Sequence, residues 1–138
     1  MLLGAPWSAG AADLGRPDIL LSTSSILQFG EANVARSSQV GEGHRVRVQQ
    51  TGNGHVADIW QAGQGNAIDL TQSGLANTLL AMQSGDHNLM VVSQLGGASA
   101  SLSQTGSNNS ISLSQAAGHH MAYISQSGNG NTASISQR

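Results

Sequence analysis

The chain has 138 residues, of which 38% are hydrophobic, 9% charged and 3% aromatic, with no cysteine and no lysine. Trp7, Phe29, Trp60 and Tyr123 are too few aromatics to fill an ordinary globular core of this length, and without cysteine there is neither a disulfide scaffold nor a cysteine-based zinc site. A net charge of −2 with five scattered arginines provides no basic patch, so nucleic acid is excluded as a partner.

Met1 to Ala12 (MLLGAPWSAGAA) is apolar and ends in small residues, like the region before a signal-peptidase site. It lacks a basic start and its apolar stretch is short, so residues 1–12 read as a truncated signal-peptide-like segment. A plain apolar N-terminus is the alternative. Residues 13–21 (DLGRPDILL) read as a short linker, and 22–138 as one repetitive domain.

The repeat is carried by glutamine, at Gln28, Gln39, Gln50, Gln61, Gln72, Gln83, Gln94, Gln104, Gln115, Gln126 and Gln137. Every step is eleven residues except one of ten, from Gln94 to Gln104. Two positions beyond the glutamine stands glycine: Gly30, Gly41, Gly52, Gly63, Gly74, Gly85, Gly96, Gly106 and Gly128. Ala117 breaks that series, with Gly118 displaced by one. Five positions beyond the glutamine stands asparagine or histidine: Asn33, His44, His55, Asn66, Asn77, Asn88, Asn109, His120 and Asn131. In the short unit Ala98 fills this slot.

Eleven residues also make three turns of α-helix. A helix with a glycine in nearly every repeat would lose about 1 kcal/mol at each one. The local pattern decides the matter, because before each glutamine the apolar residues alternate with polar ones, as in Val46/Val48, Ile68/Leu70, Ile111/Leu113 and Ile124 with Ala122. Period two over five or six residues marks a half-buried strand, and the glycine and asparagine that follow suit a tight arc.

Each unit is then one short strand and one arc, eleven times over. Successive strands face each other across a thin core, so one rung takes two units, or 22 residues. This predicts an all-β fold, a two-sheet parallel β-solenoid that becomes cross-β on assembly. Strands ending at Gln28, Gln50, Gln72, Gln94, Gln115 and Gln137 form one sheet, and the other five form its partner. The first sheet carries the larger inward aliphatics, and the second more small residues, including Ala35, Ser37, Ala57, Ala81, Ala100 and Ala122. By the same alternation the glutamines point inward, where stacked amides can satisfy one another as ladders and pin the register. The Asn/His slot is expected to stack in the same way.

The unit Q-x-G-x-x-N-x-A-x-I-x-Q resembles the curlin repeat. Its nearest copies are Gln126 to Gln137 (QSGNGNTASISQ), Gln61 to Gln72 (QAGQGNAIDLTQ) and Gln104 to Gln115 (QTGSNNSISLSQ). The resemblance covers residues 24–138. It implies a subunit of an extracellular curli-type amyloid fibre, exported through the curli secretion machinery to the outer-membrane surface of a Gram-negative bacterium. The implied partners are the chain itself and a second curlin subunit. It implies no cofactor and no enzyme activity. The irregular repeats and the terminal Ser136-Gln137-Arg138 are similar to minor, nucleator-type curlins; the major fibre subunit is the alternative.

Charges are sparse, and from His87 to Gln137 there is no Asp, Glu, Lys or Arg. Arg47, Asp58 and Asp69 fall on outward strand positions and Glu31, Glu42 and Asp86 in arcs. They read as gatekeepers against premature assembly or as plain solvated charges. Outward Trp60, Leu80, Met82 and Tyr123 offer a lateral contact or are scattered surface residues. A catalytic or metal site built from the histidines and aspartates lacks ligand spacing, since three histidines occupy the asparagine slot. A monomeric solenoid adhesin is the more distant rival.

Overall fold

The computed structural model describes residues 21–138. The signal-like segment 1–12 and all of the linker but Leu21 lie outside the described residues.

Alternating apolar and polar residues give eleven strands: β1 (Thr23–Phe29), β2 (Val34–Glu42), β3 (Arg45–Asn53), β4 (Val56–Gln64), β5 (Ala67–Leu75), β6 (Thr78–Asp86), β7 (Leu89–Leu95), β8 (Ser99–Ser107), β9 (Ser110–Gln115), β10 (Met121–Ser127) and β11 (Thr132–Gln137). Each pairs in parallel with the strand two further along, so odd strands form a six-stranded sheet in the order β1-β3-β5-β7-β9-β11. Even strands form a five-stranded sheet running β2-β4-β6-β8-β10. Glutamine always pairs with glutamine, as in Gln50↔Gln72 and Gln61↔Gln83, at an offset of 22 residues. Across the short unit the offset is one less, as in Gln83↔Gln104. The fold is the parallel β-solenoid that the eleven-residue period predicts.

Several strands are longer than the alternation alone indicates. Six of them run to nine residues and continue past the glutamine through the glycine. The ladder survives the bend because glycine stacks on glycine, as in Gly41↔Gly63 and Gly63↔Gly85. A Cβ built on Gly63 would land on the Gly85 carbonyl oxygen, and the backbone there has φ +109°. Both the close approach and the left-handed φ require glycine. Consequently Glu42 and Asp86, expected in arcs, are instead the last residues of β2 and β6.

The core is one stripe of aliphatics between the sheets. The odd sheet contributes two large residues per interior strand: Val46 and Val48, Ile68 and Leu70, Met90 and Val92, Ile111 and Leu113. In the even sheet one small and one large residue share a strand, as in Ala57/Ile59, Leu79/Ala81 and Ala100/Leu102. The size difference expected between the sheets thus holds at one position per even strand, not at both. Burial falls off at both ends. Ile26 and Ala35 in the first rung, and Ala133 and Ile135 in the last, are only partly buried, since each lacks a rung on one side.

Candidate assembly interface

Two buried glutamine ladders run the length of the solenoid. In the odd sheet Nε2 of Gln28, Gln50, Gln72, Gln94 and Gln115 donates to Oε1 of the glutamine in the following rung, ending at Gln137, over 2.6–3.0 Å. In the even sheet Gln39, Gln61, Gln83 and Gln104 do the same, ending at Gln126. Seven of these side chains, from Gln50 to Gln115, are fully buried. Most also donate to a carbonyl of the preceding strand, in the other sheet: Gln50 to Val34, Gln72 to Val56 and Gln94 to Thr78. In Gln50, Gln72 and Gln94 the amide nitrogen therefore ties rung to rung and sheet to sheet at once, which offsets the cost of burying a polar group.

The asparagines hold the corners. Asn66 Nδ2 donates to the Ala62 carbonyl at 2.9 Å, closing its own arc, and to the Gly85 carbonyl of the next rung at 2.7 Å. Its Oδ1 accepts the Asn88 backbone N–H at 2.9 Å. Asn33, Asn77, Asn88 and Asn109 repeat parts of this scheme, and Asn131 closes its arc onto the Ser127 carbonyl. His44 and His55 substitute for asparagine: Nε2 reaches the carbonyls of Val40 and Thr51, and Nδ1 accepts the backbone N–H of Asn66 and Asn77.

His120 departs from that scheme, because its buried Nε2 has no partner. His44 and His55 reach carbonyls within their own arcs, and in the arc of His120 the turn glycine is displaced, with Ala117 in its place and Gly118 at φ +143°. Ala98, one rung earlier, brings no side-chain acceptor for the His120 backbone N–H. Gly74, Leu75, Gly96, Gly97 and His119 line a shallow recess at this corner.

A second left-handed position escapes the sequence pattern. Four residues beyond the glutamine, Gly43, Gly54, Gly65 and Gly130 have positive φ, but so do Ala32, Ala76, His87 and Asn108, at 54–57°. Because residues of four types fill it, it leaves no compositional mark.

Opposite charges are neighbours by register toward the N-terminal end of the solenoid. Arg36 lies beside Asp58 in the even sheet, and Arg47 beside Asp69 in the odd sheet. Asp86 accepts the Gln64 backbone N–H through Oδ1 at 3.2 Å. Trp60 and Met82 are neighbours on the outer face of the even sheet, and Leu80 and Tyr123 are also exposed there. Among the described residues no three His, Asp or Glu side chains are placed to hold one metal ion.

Among the described residues the solenoid ends on open ladders. β1 and β2 form one edge, β10 and β11 the other. All the amide ladders run in one sense, so the two edges are complementary. Gln126 and Gln137 turn Nε2 toward the C-terminal edge, whereas among the described residues nothing donates to Oε1 of Gln28 or Gln39. Neither β10 nor β11 carries a charge, proline or bulge of the kind that protects natural sheet edges.

No curated protein matches the chain. Residues 45–74 and 106–138 match the family model described as Curlin associated repeat, and these matches, lying on the glutamine-phased strands, support the curlin-repeat family for this chain.

Proposed function

We propose that the chain is a structural subunit of an extracellular, curli-type functional amyloid, and within that system the minor subunit that nucleates fibre growth. In this reading it is exported by the curli secretion machinery and held at the outer-membrane surface of a Gram-negative bacterium. There it templates a second curlin subunit for biofilm formation and adhesion. The observation that carries the proposal is the pair of complementary edges, the C-terminal one without charge or proline in its strands, which present backbone and glutamine ladders to any chain of the same repeat. Arg47, Asp58, Asp69 and Asp86 sit away from both edges, so their gatekeeping acts on the unfolded chain, before the rungs close.

The major-subunit reading draws on one observation, the two glutamine ladders that between them run unbroken through all eleven strands and suit a fibre body as well as a nucleus. Mixing the chain substoichiometrically with a slow-assembling curlin separates the two. A nucleator shortens the lag several-fold, while an unchanged lag with self-polymerisation of this chain assigns it to the fibre body. A chain that stays monomeric at micromolar concentration and leaves the lag unchanged contradicts both.

A further inference from the structure

Among the described residues the two sheets are unequal, six strands against five, and this sets how a second copy can add. Each strand of the solenoid lies half a rung beyond the one before it. After β11 the next half-rung position lies in the other sheet, on the free edge of β10. Suppose a second copy stacks like sheet on like sheet. Its β1 then covers β11, the place over β10 stays empty, and its β2 arrives a full rung too far away to pair. Every junction would bury a row of unpaired N–H and C=O groups. The repeat pattern does not extend to residues 12–22 of the sequence, where Asp13 and Gly15 stand in place of the inward residues and Pro17 in place of the glutamine.

We propose that copies of this chain join with a half-turn about the fibre axis, β1 of one docking on β10 of its neighbour and β2 on β11, so that the odd sheet of each subunit continues as the even sheet of the next. This rests on the fibre-subunit reading above. The register supports it: Gln28 falls over Gln126 and Gln39 over Gln137, meeting the donors at the C-terminal edge with the acceptors of the N-terminal one. Ile26 falls over Ile124, extending the core stripe. The Asn131 amide meets the arc of Gly30 to Asn33, as Asn109 meets that of Gly128 to Asn131 within the chain. Leu21 and Ser22 of the incoming copy enter at the corner where an arc beyond β11 would lie, so the path of the rungs is continuous. Eleven half-rungs give a rise of about 26 Å per subunit and an axial repeat near ~53 Å for the pair. Each long face of the fibre then shows the Trp60–Met82 surface on alternate subunits only.

Single-cysteine pools test this, since the chain has no cysteine of its own. Ser25→Cys and Tyr123→Cys chains are mixed, assembled under reducing conditions, oxidised, and dissociated for non-reducing electrophoresis. Ser25→Cys with Ser134→Cys is the comparison. All three positions are outward and exposed. The half-turn puts positions 25 and 123 on neighbouring strands at about 4.8 Å, within disulfide reach, and 25 and 134 on opposite faces. At least tenfold more mixed disulfide from the 25/123 pair is expected. The reverse ratio, equal yields, or no mixed disulfide in either mixture while all pools sediment like the parent overturns the proposal. A parent chain that never becomes sedimentable strikes the fibre reading instead.

Discussion

Gln72 Nε2 donates to Gln94 Oε1 across 2.8 Å at a place where neither side chain meets solvent. That nitrogen also reaches the Val56 carbonyl, and the Gln72 oxygen accepts from Gln50. Every hydrogen-bonding site on the amide nitrogen is thereby used. Gln72→Ala removes a link from the middle of the ladder, empties the acceptor site facing Gln50 and leaves a cavity. It is expected to cost about 3 kcal/mol. Gln28→Ala, at the partly exposed end, should cost less than about 1 kcal/mol. Urea unfolding of freshly prepared monomer measures both, and equal losses would mean that the ladder adds nothing to burial.

The glycines divide into two kinds. A methyl group on Gly63 meets the Gly85 carbonyl oxygen of the next rung, whereas one on Gly54 meets nothing within 4 Å and faces only a φ of +71°. Gly63→Ala should therefore cost more than about 3 kcal/mol and block folding of the neighbouring rungs. Gly54→Ala should cost about 1 kcal/mol. Circular dichroism and unfolding midpoints of the two variants make the comparison.

Ala76 holds a left-handed backbone at φ 54°. Its side chain is exposed, so Ala76→Gly removes the strain without opening a cavity. It should raise stability by up to about 1 kcal/mol. A loss of stability on this change would show that the alanine methyl packs usefully.

The hydroxyl of Ser37 is buried without a partner in the first complete rung, at a position where the next rung carries Ile59. Ser37→Ala should stabilise by about 1 kcal/mol. Hydrogen exchange should show the gain as slower exchange confined to β1, β2 and β4, because a solenoid couples mainly nearest neighbours.

Much of this fold is legible in the sequence because its order is periodic. Strand positions, sheet membership and the phase of Gln28 to Gln137 all follow from one eleven-residue step combined with period-two alternation. What the pattern hides is whatever does not repeat in residue type. The left-handed site at Ala32, Ala76, His87 and Asn108 is set by backbone path and accepts unlike side chains. The pairings of Arg36 with Asp58 and Arg47 with Asp69 emerge only once the 22-residue register is applied to single residues. The orphaned His120 Nε2 lies in the arc where Ala117 and Gly118 displace the turn glycine. The common sense of every amide ladder, which makes the two edges complementary, is a matter of side-chain orientation that no residue count contains.

The proposed assembly extends the chain's own ladders. X-ray diffraction from aligned assemblies tests it most directly. The solenoid predicts a meridional reflection at about 4.8 Å from the rungs and an equatorial one near ~10 Å from the facing sheets. Aligned fibres lacking the ~4.8 Å meridional reflection would contradict it.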